Sequence, residues 1–268
     1  MEKIYIPTFK RVDNQITFNE LPDKYKEKTI LVVQEQEREQ YKYDCEYFVV
    51  DNDIGIAKTR ELIYRKAGNK RYAILDDDII FYRRNKKYHG FEPSMEKSKR
   101  VSTEKDIDDM MKTYNEWMNE GHMHIGCRDE SLWPKVSYLN NKEIIANHFI
   151  DGNELFKFID DVDWNVCQIG EDHLFTIECM RRGYMNRVSD EFLQNRWSSA
   201  YGEGGCAEYR TAKYHDDEMM KLAQKYPEFV TLKKMREVKK IGIIRHFQID
   251  WDSVYKSYQT TSLSNFLL

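Results

Sequence analysis

The chain opens on a short apolar run at residues 3–6 that Pro7 stops, and three more follow at residues 29–33, 47–50 and 72–75. Short apolar, β-branched runs without polar alternation predict strands buried on both faces. Between the third and fourth runs, residues 56–67 repeat at helical spacing, and Gly68-Asn69 supplies a stop. Strands alternating with helices predict an α/β fold with an open, twisted, mostly parallel sheet flanked by helices. Ligands of such sheets bind beyond the carboxyl ends of the strands. Thr8, Asp51 and the three carboxylates Asp76, Asp77 and Asp78 fall at those ends.

Further along, Ile107, Met110, Met111, Tyr114, Trp117 and Met118 mark one face of a long helix. Thr103 and Asp106 have the spacing of a capping box at its start. A Met and aromatic stripe of this kind is core packing, and no function is assigned to it. Residues 171–182 predict a second helix, ended by Gly183, with Arg181 and Arg182 suited to its negative end. No internal repeat, low-complexity tract or Pro/Gly/Ser linker interrupts the chain. The expected organisation is a core over residues 1–200. A Gly-rich loop and an α-rich, basic extension over residues 201–268 would pack on the same domain.

Composition excludes several classes. With 268 residues, 41% of them apolar, the chain can bury a substantial core and is too apolar to be disordered. No apolar run approaches the roughly 20 residues that cross a bilayer, and the start has no signal-peptide core. Five scattered cysteines without CxxC spacing read as reduced thiols. They predict a cytoplasmic protein rather than a disulfide or zinc-ribbon scaffold. A formal net charge of −4 argues against a protein dominated by phosphate-backbone binding. The charge distribution changes that picture. Residues 82–100 carry a balance of +5 and residues 232–246 another +5, so the remainder carries −14. Two basic segments on an acidic body can recruit a polyanion, and can equally be solvated faces.

Three motifs carry candidate chemistry. Asp76, Asp77 and Asp78 repel one another unless a cation or partner is present. In an extended segment Asp76 and Asp78 point to one side and Asp77 to the other. That pair can grip a divalent ion and leave positions open for a diphosphate. Glu171 and Asp172 start a helix whose dipole favours anions, where an Asp can serve as general base toward a hydroxyl. Gly204 and Gly205, followed by Arg210, permit close backbone approach and an amide nest for phosphate. Taken singly, the three also fit a solvated acidic turn, an ordinary helix start and a surface loop. Neither a P-loop nor a GxGxxG after a strand is present.

In combination they resemble one architecture. Ile4-Tyr5-Ile6-Pro7-Thr8-Phe9-Lys10-Arg11 resembles the first strand and nucleotide-binding loop of GT-A nucleotide-sugar glycosyltransferases. Residues 51–60, with Gly55, Thr59 and Arg60, resemble their next donor-contact region, and Asp76-Asp77-Asp78 is similar to their Asp-x-Asp motif. Gly170-Glu171-Asp172, with Phe175 and Arg181-Arg182-Gly183-Tyr184, resembles their acceptor-side Glu-Asp element. Order and spacing agree over residues 3–184. Residues 204–211, Tyr226-Pro227-Glu228 and Ile249-Asp250-Trp251 narrow the resemblance to the TET-associated glycosyltransferases of bacteriophages, which decorate hydroxymethylated pyrimidines in DNA. Two departures stand out. Trp251 is followed by Asp252, where that group usually has a basic residue. No His lies at residues 194–199, where many GT-A enzymes have a third metal ligand; Asn195, His215 or water remain as candidates.

The resemblance implies transfer of a sugar from a UDP-sugar donor to a hydroxyl, in the host cytoplasm if the chain is phage-encoded. Asp76 and Asp78 would hold Mn²⁺ or Mg²⁺. Pro7, Thr8, Arg11, Asp51, Gly55, Arg60, Asp77, Gly204, Gly205 and Arg210 would line the donor site. Asp172 would act as base in an inverting displacement, with Glu171 orienting the acceptor. The implied acceptor is DNA bearing hydroxymethylated pyrimidines, held by Arg83 to Arg100 and Lys233 to Arg245. A glycan or protein acceptor is the alternative, as is a catalytically silent nucleotide-sugar-binding module.

Overall fold

The computed structural model describes residues 1–85, 98–132, 136–196, 204–238 and 242–266. Its main element is a ten-stranded mixed sheet. Strands β1 (Lys3–Pro7), β2 (Thr29–Gln34), β3 (Glu46–Val50) and β4 (Arg71–Leu75) form a parallel half in the order β3-β2-β1-β4. The other half holds β5 (Ile79–Arg84), β6 (Lys99–Val101), β7 (His124–Asp129), β8 (Tyr138–Asn140), β9 (Asn147–Asp151) and β10 (Arg187–Arg196). Strand β9 lies antiparallel between β4 and β7. Strand β10 runs parallel to β7 and antiparallel to β5 and β8, and β6 forms the far edge.

The helices are α1 (Ile16–Glu20), α2 (Asp23–Lys26), α3 (Gly55–Ala67), α4 (Glu104–Asn119), α5 (Gly152–Leu155), α6 (Glu171–Met180), α7 (Ala212–Lys225) and α8 (Trp251–Phe266). Ile4 and Ile6 of β1 pack in one core with Met110, Met111, Tyr114 and Met118 of α4. Tyr5, between them, joins a second core with Ile63 and Tyr64 of α3 and Phe175 of α6. Burial on both faces is why β1, β2 and β4 show no polar alternation; β3 differs, because as the edge strand it leaves Glu46 and Val49 exposed. No described helix is long and apolar enough to cross a membrane.

The start of α4 is a reciprocal cap. Thr103 Oγ1 accepts from the Asp106 amide (3.3 Å), and Asp106 Oδ2 accepts from the Thr103 amide (2.7 Å). Thr103→Ala should lower the unfolding free energy by about 1 kcal/mol. Denaturant titration reads this as an earlier midpoint at unchanged slope; an unmoved midpoint would show that the cap contributes nothing.

The basic segments meet different fates. In the first, Arg84 pairs with Asp190 (3.3 Å), Arg83 with Glu191, Lys99 with Glu130 and Arg100 with Asp106. These ion pairs tie β5 and β6 to their neighbours and give Arg83, Arg84, Lys99 and Arg100 carboxylate partners within the chain. Lys86, Lys87 and Lys97 lie outside the described residues. The second segment is not helical. It forms an antiparallel ribbon of β11 (Val230–Val238) and β12 (Gly242–Ile249), with Lys233 and Lys234 exposed. A register shift between Leu232 and Met235 interrupts the period of two, so no alternation marks β11 in the sequence. Lys239 and Lys240 lie outside the described residues. Helices α6, α7 and α8 join the ribbon in a third cluster that includes Leu174, Ile177, Leu222, Val230 and Val254.

Candidate functional site

From β1 the chain moves outward to β2 and β3, then returns to β4 on the other side of β1. Connections that diverge in this way open a crevice at the strands' carboxyl ends. The loop after β1 and the turn after β4 meet there and floor a cleft of ≈ 1320 Å³.

The β1 loop is bound to the acidic turn. Thr8 Oγ1 donates to Asp77 Oδ2 (2.6 Å), and Gln15 Nε2 donates to Thr8 Oγ1 (2.7 Å) and to the Arg11 carbonyl (2.8 Å). The Arg11 guanidinium pairs with Asp77 and, at 3.0 Å, with Asp78 Oδ2. Two adjacent buried carboxylates would repel, and Arg11 offsets that repulsion. Burial pushes the Asp77 carboxyl up to about 7 against the pull of Arg11.

Asp76 turns the other way, to Arg60 of α3 (Oδ1 to Nη2, 2.8 Å). The expectation that Asp76 and Asp78 share one side is therefore corrected: Asp77 and Asp78 share Arg11. Strand alternation fails here because Asp77 and Asp78 sit in the turn between β4 and β5, not in a strand.

Arg60 is the hub of the floor. Its guanidinium also meets Asp172 and, at 3.3 Å, Glu171 Oε1. Burial disfavours its charge, but the carboxylates of Glu171 and Asp76 more than offset this and keep it protonated. The acidic turn and the Glu-Asp element, almost 100 residues apart in sequence, thus share one cation. Ala146 joins them a second time. Its amide donates to Asp172 Oδ2 (3.4 Å), and its carbonyl accepts from the Asp76 amide (2.8 Å). This buried residue has φ of 67°, a left-handed conformation that side chains disfavour.

The remaining expected residues divide. Pro7, Gly55, Gly205 and Arg210 line the cleft. Arg210 also reaches His215 Nδ1 (2.9 Å). Asp51 does not line it: the residue is exposed outside the cleft, and Asp53 lines the wall instead. Gly204 is not in the lining either. A Cβ there would come within 2.6 Å of the Lys10 carbonyl, so this glycine serves close packing on the β1 loop. The Gly204 amide donates to Glu208 (3.1 Å) and the Gly205 amide to the Phe9 carbonyl (2.8 Å), which uses up the expected phosphate nest. Tyr201, Gly202 and Glu203 lie outside the described residues. Ribbon residues Ile244, Arg245 and Phe247 complete the wall.

Sequence reasoning missed two histidines beneath Asp172. His148 Nε2 lies 2.7 Å from Asp172 Oδ1, and His148 Nδ1 lies 2.9 Å from His124 Nε2. The available signal was a polar residue inside an apolar strand, Asn147-His148-Phe149-Ile150.

Among the described residues, no group of three or more His, Cys, Asp or Glu side chains is arranged to hold a metal ion. Asp76 and Asp78 both line the cleft, each engaged by a different arginine, so the donor set suits a hard divalent cation in chemistry while the pair itself is turned apart. Both offer carboxylate oxygens in the cleft, and Mg²⁺ is commonly held by one or two carboxylates plus substrate phosphates. For Asp78 that means exchanging Arg11 for the ion.

Comparison with known proteins gives one family match. The model described as TET-Associated Glycosyltransferase matches residues 2–190. A search of curated proteins finds no match. Among solved structures, the chain is similar to a UDP-glucose pyrophosphorylase complexed with UDP-glucose, at 11% identity and TM-score 0.43. That match covers 73% of this chain and 92% of the other. It is also similar to the inositol-1-phosphate CTP transferase from T. maritima, at 16% identity and TM-score 0.39, covering 84% of this chain and 97% of the other.

Proposed function

The chain belongs to the TET-associated glycosyltransferase family, and from that premise we propose that it moves a sugar from a UDP-sugar to the hydroxyl of a hydroxymethylated pyrimidine in DNA. The observation that carries this reading is Arg60, which joins Asp76 on the donor side to Glu171 and Asp172 on the acceptor side of one cleft.

In this reading the nucleoside sits against Pro7, Thr8 and Gly55. Asp76 and Asp78 hold Mg²⁺ or Mn²⁺, which when bound supplies charge neutralisation for the departing diphosphate. Arg60 fixes Asp76 and Asp172 relative to each other. Asp172 accepts the acceptor proton, and Oδ2 is suited to it because its bond from the Ala146 amide is long. Glu171 orients the acceptor. A single displacement follows, with inversion at the anomeric carbon. Release of UDP by the purified protein tests the enzyme reading: Asp76→Ala with Asp78→Ala should abolish it. A protein that binds donor and releases none would be a silent binding module instead.

The ribbon is the candidate DNA surface. Lys233 and Lys234 are exposed, and Arg245 of the same ribbon lines the cleft. The target base must leave the stack to reach Asp172. Lys233→Glu with Lys234→Glu should weaken DNA binding and flatten its salt dependence by up to about two in slope. Unchanged affinity and slope would favour a glycan or protein acceptor.

A further inference from the structure

Asp172 rests on a short chain of buried side chains that the proposed mechanism does not itself use. His148 of β9 and His124 of β7 are both fully buried, and their rings lie parallel (interplanar 4°, centroids 5.1 Å apart). Phe175 of α6 packs edge-on to both. The bonds run from His124 Nε2 to His148 Nδ1 (2.9 Å) and from His148 Nε2 to Asp172 Oδ1 (2.7 Å). The last atom of this chain of bonds, His124 Nδ1, is buried and has no hydrogen-bond partner among the described residues.

That orphan atom fixes the direction of the chain. Burial drives His124 down to about 3, and burial with the Arg60 charge drives His148 well below its ordinary value, so each ring carries one proton. If His148 carried it on Nδ1, His124 would have to carry its own on Nδ1, leaving a buried donor unsatisfied. That arrangement costs about 1–3 kcal/mol. It would also place the bare Nε2 of His148 against a carboxylate oxygen at 2.7 Å. The opposite assignment satisfies both short contacts of the chain, while Arg60 Nη1, 3.3 Å from His148 Nε2, gives its N–H to Asp172 instead. His124 Nε2–H donates to His148 Nδ1, His148 Nε2–H donates to Asp172 Oδ1, and the orphaned nitrogen is an unprotonated lone pair in an apolar setting.

We propose that His124 and His148 are positioning residues: His124 locks the tautomer of His148, and His148 holds Asp172 Oδ1 so that Oδ2 receives the acceptor proton. This rests on the reading of Asp172 as the base. Loss of a buried donor that orients a reacting carboxylate should cost about 10–100-fold in activity, by analogy with partners that orient metal ligands. The effect falls on turnover, since neither histidine lines the donor cleft.

The test measures kcat and donor KM on the full chain for Asp172→Asn, His148→Phe, His148→Gln, His124→Phe and the double variant His148→Gln/His124→Phe, with thermal unfolding in parallel. His148→Phe keeps the ring volume and should lower kcat about 10–100-fold at unchanged donor KM. His148→Gln carries an amide donor near the position of Nε2 and should recover most of it. His124→Phe should lower kcat less, because it only frees the tautomer. A glutamine has no tautomer to lock, so His124→Phe should have no further effect in the His148→Gln background. If His148→Phe fails to fold, the two His124→Phe comparisons decide the matter. An inactive Asp172→Asn beside a fully active His148→Phe, or equal losses from His124→Phe in both backgrounds, overturns the relay alone. A fully active Asp172→Asn overturns the base reading and the relay with it.

Discussion

Asp172→Asn should slow sugar transfer by about 10²–10⁴-fold, the usual contribution of a positioned general base. Asn preserves the size of the side chain, and its carbonyl can still accept from His148 Nε2 or Arg60. What it loses is the capacity to take a proton. Donor KM should stay within a few-fold, since the proposed nucleoside contacts are Pro7, Thr8 and Gly55 rather than Asp172. A matched fall in kcat and kcat/KM is the signature of an interaction made only in the transition state. Steady-state kinetics at saturating donor measures it. A rise in donor KM at unchanged kcat would move Asp172 from proton transfer to ground-state binding.

Arg60→Met should be damaging in a different way. Arg60 is 3% exposed and faces Asp76, Glu171 and Asp172, so its removal leaves three carboxylates crowded at one point. Breaking a buried pair by deleting one partner costs about 3–5 kcal/mol. The lower end applies here, because Asp76 reaches the cleft and can rehydrate. Chemical denaturation should show a fall of about 3 kcal/mol, with loss of transfer activity even where the variant stays folded. Arg60→Lys restores the charge and should recover part of the stability. It should not recover activity, because a single ammonium cannot hold carboxylates on two sides as a planar guanidinium does. Full activity in Arg60→Lys would mean that charge alone, without geometry, couples the two motifs.

Much of this architecture was legible because local patterns coincide with tertiary roles. The runs that became β1, β2 and β4 are apolar throughout since both faces of these strands are covered, whereas β3, at the sheet edge, leaves Val49 exposed. The Thr103–Asp106 spacing specified its cap directly. Most of what the sequence hid concerns partners far away in sequence. The orientation of the acidic turn is set by Arg11 and Arg60, not by strand alternation. Counting charge over residues 82–100 could not see that Arg83 and Arg84 find Glu191 and Asp190, more than a hundred positions on. The ribbon was hidden by its own register shift. His124 and His148 lie on adjacent strands that meet only when β9 inserts between β4 and β7, an order that local periodicity does not encode.

The central claim is that a sugar passes from a UDP-linked donor to a hydroxymethylated base through Asp172. Mass spectrometry of nucleosides after incubation with a UDP-sugar panel tests it, using hydroxymethylcytosine and hydroxymethyluracil DNA side by side. The account predicts a hydroxymethylpyrimidine nucleoside heavier by one sugar, with inverted anomeric configuration, formed by the native chain and absent with Asp172→Asn. Unmodified nucleosides from every donor, or a product whose yield is the same with Asp172→Asn, would contradict it.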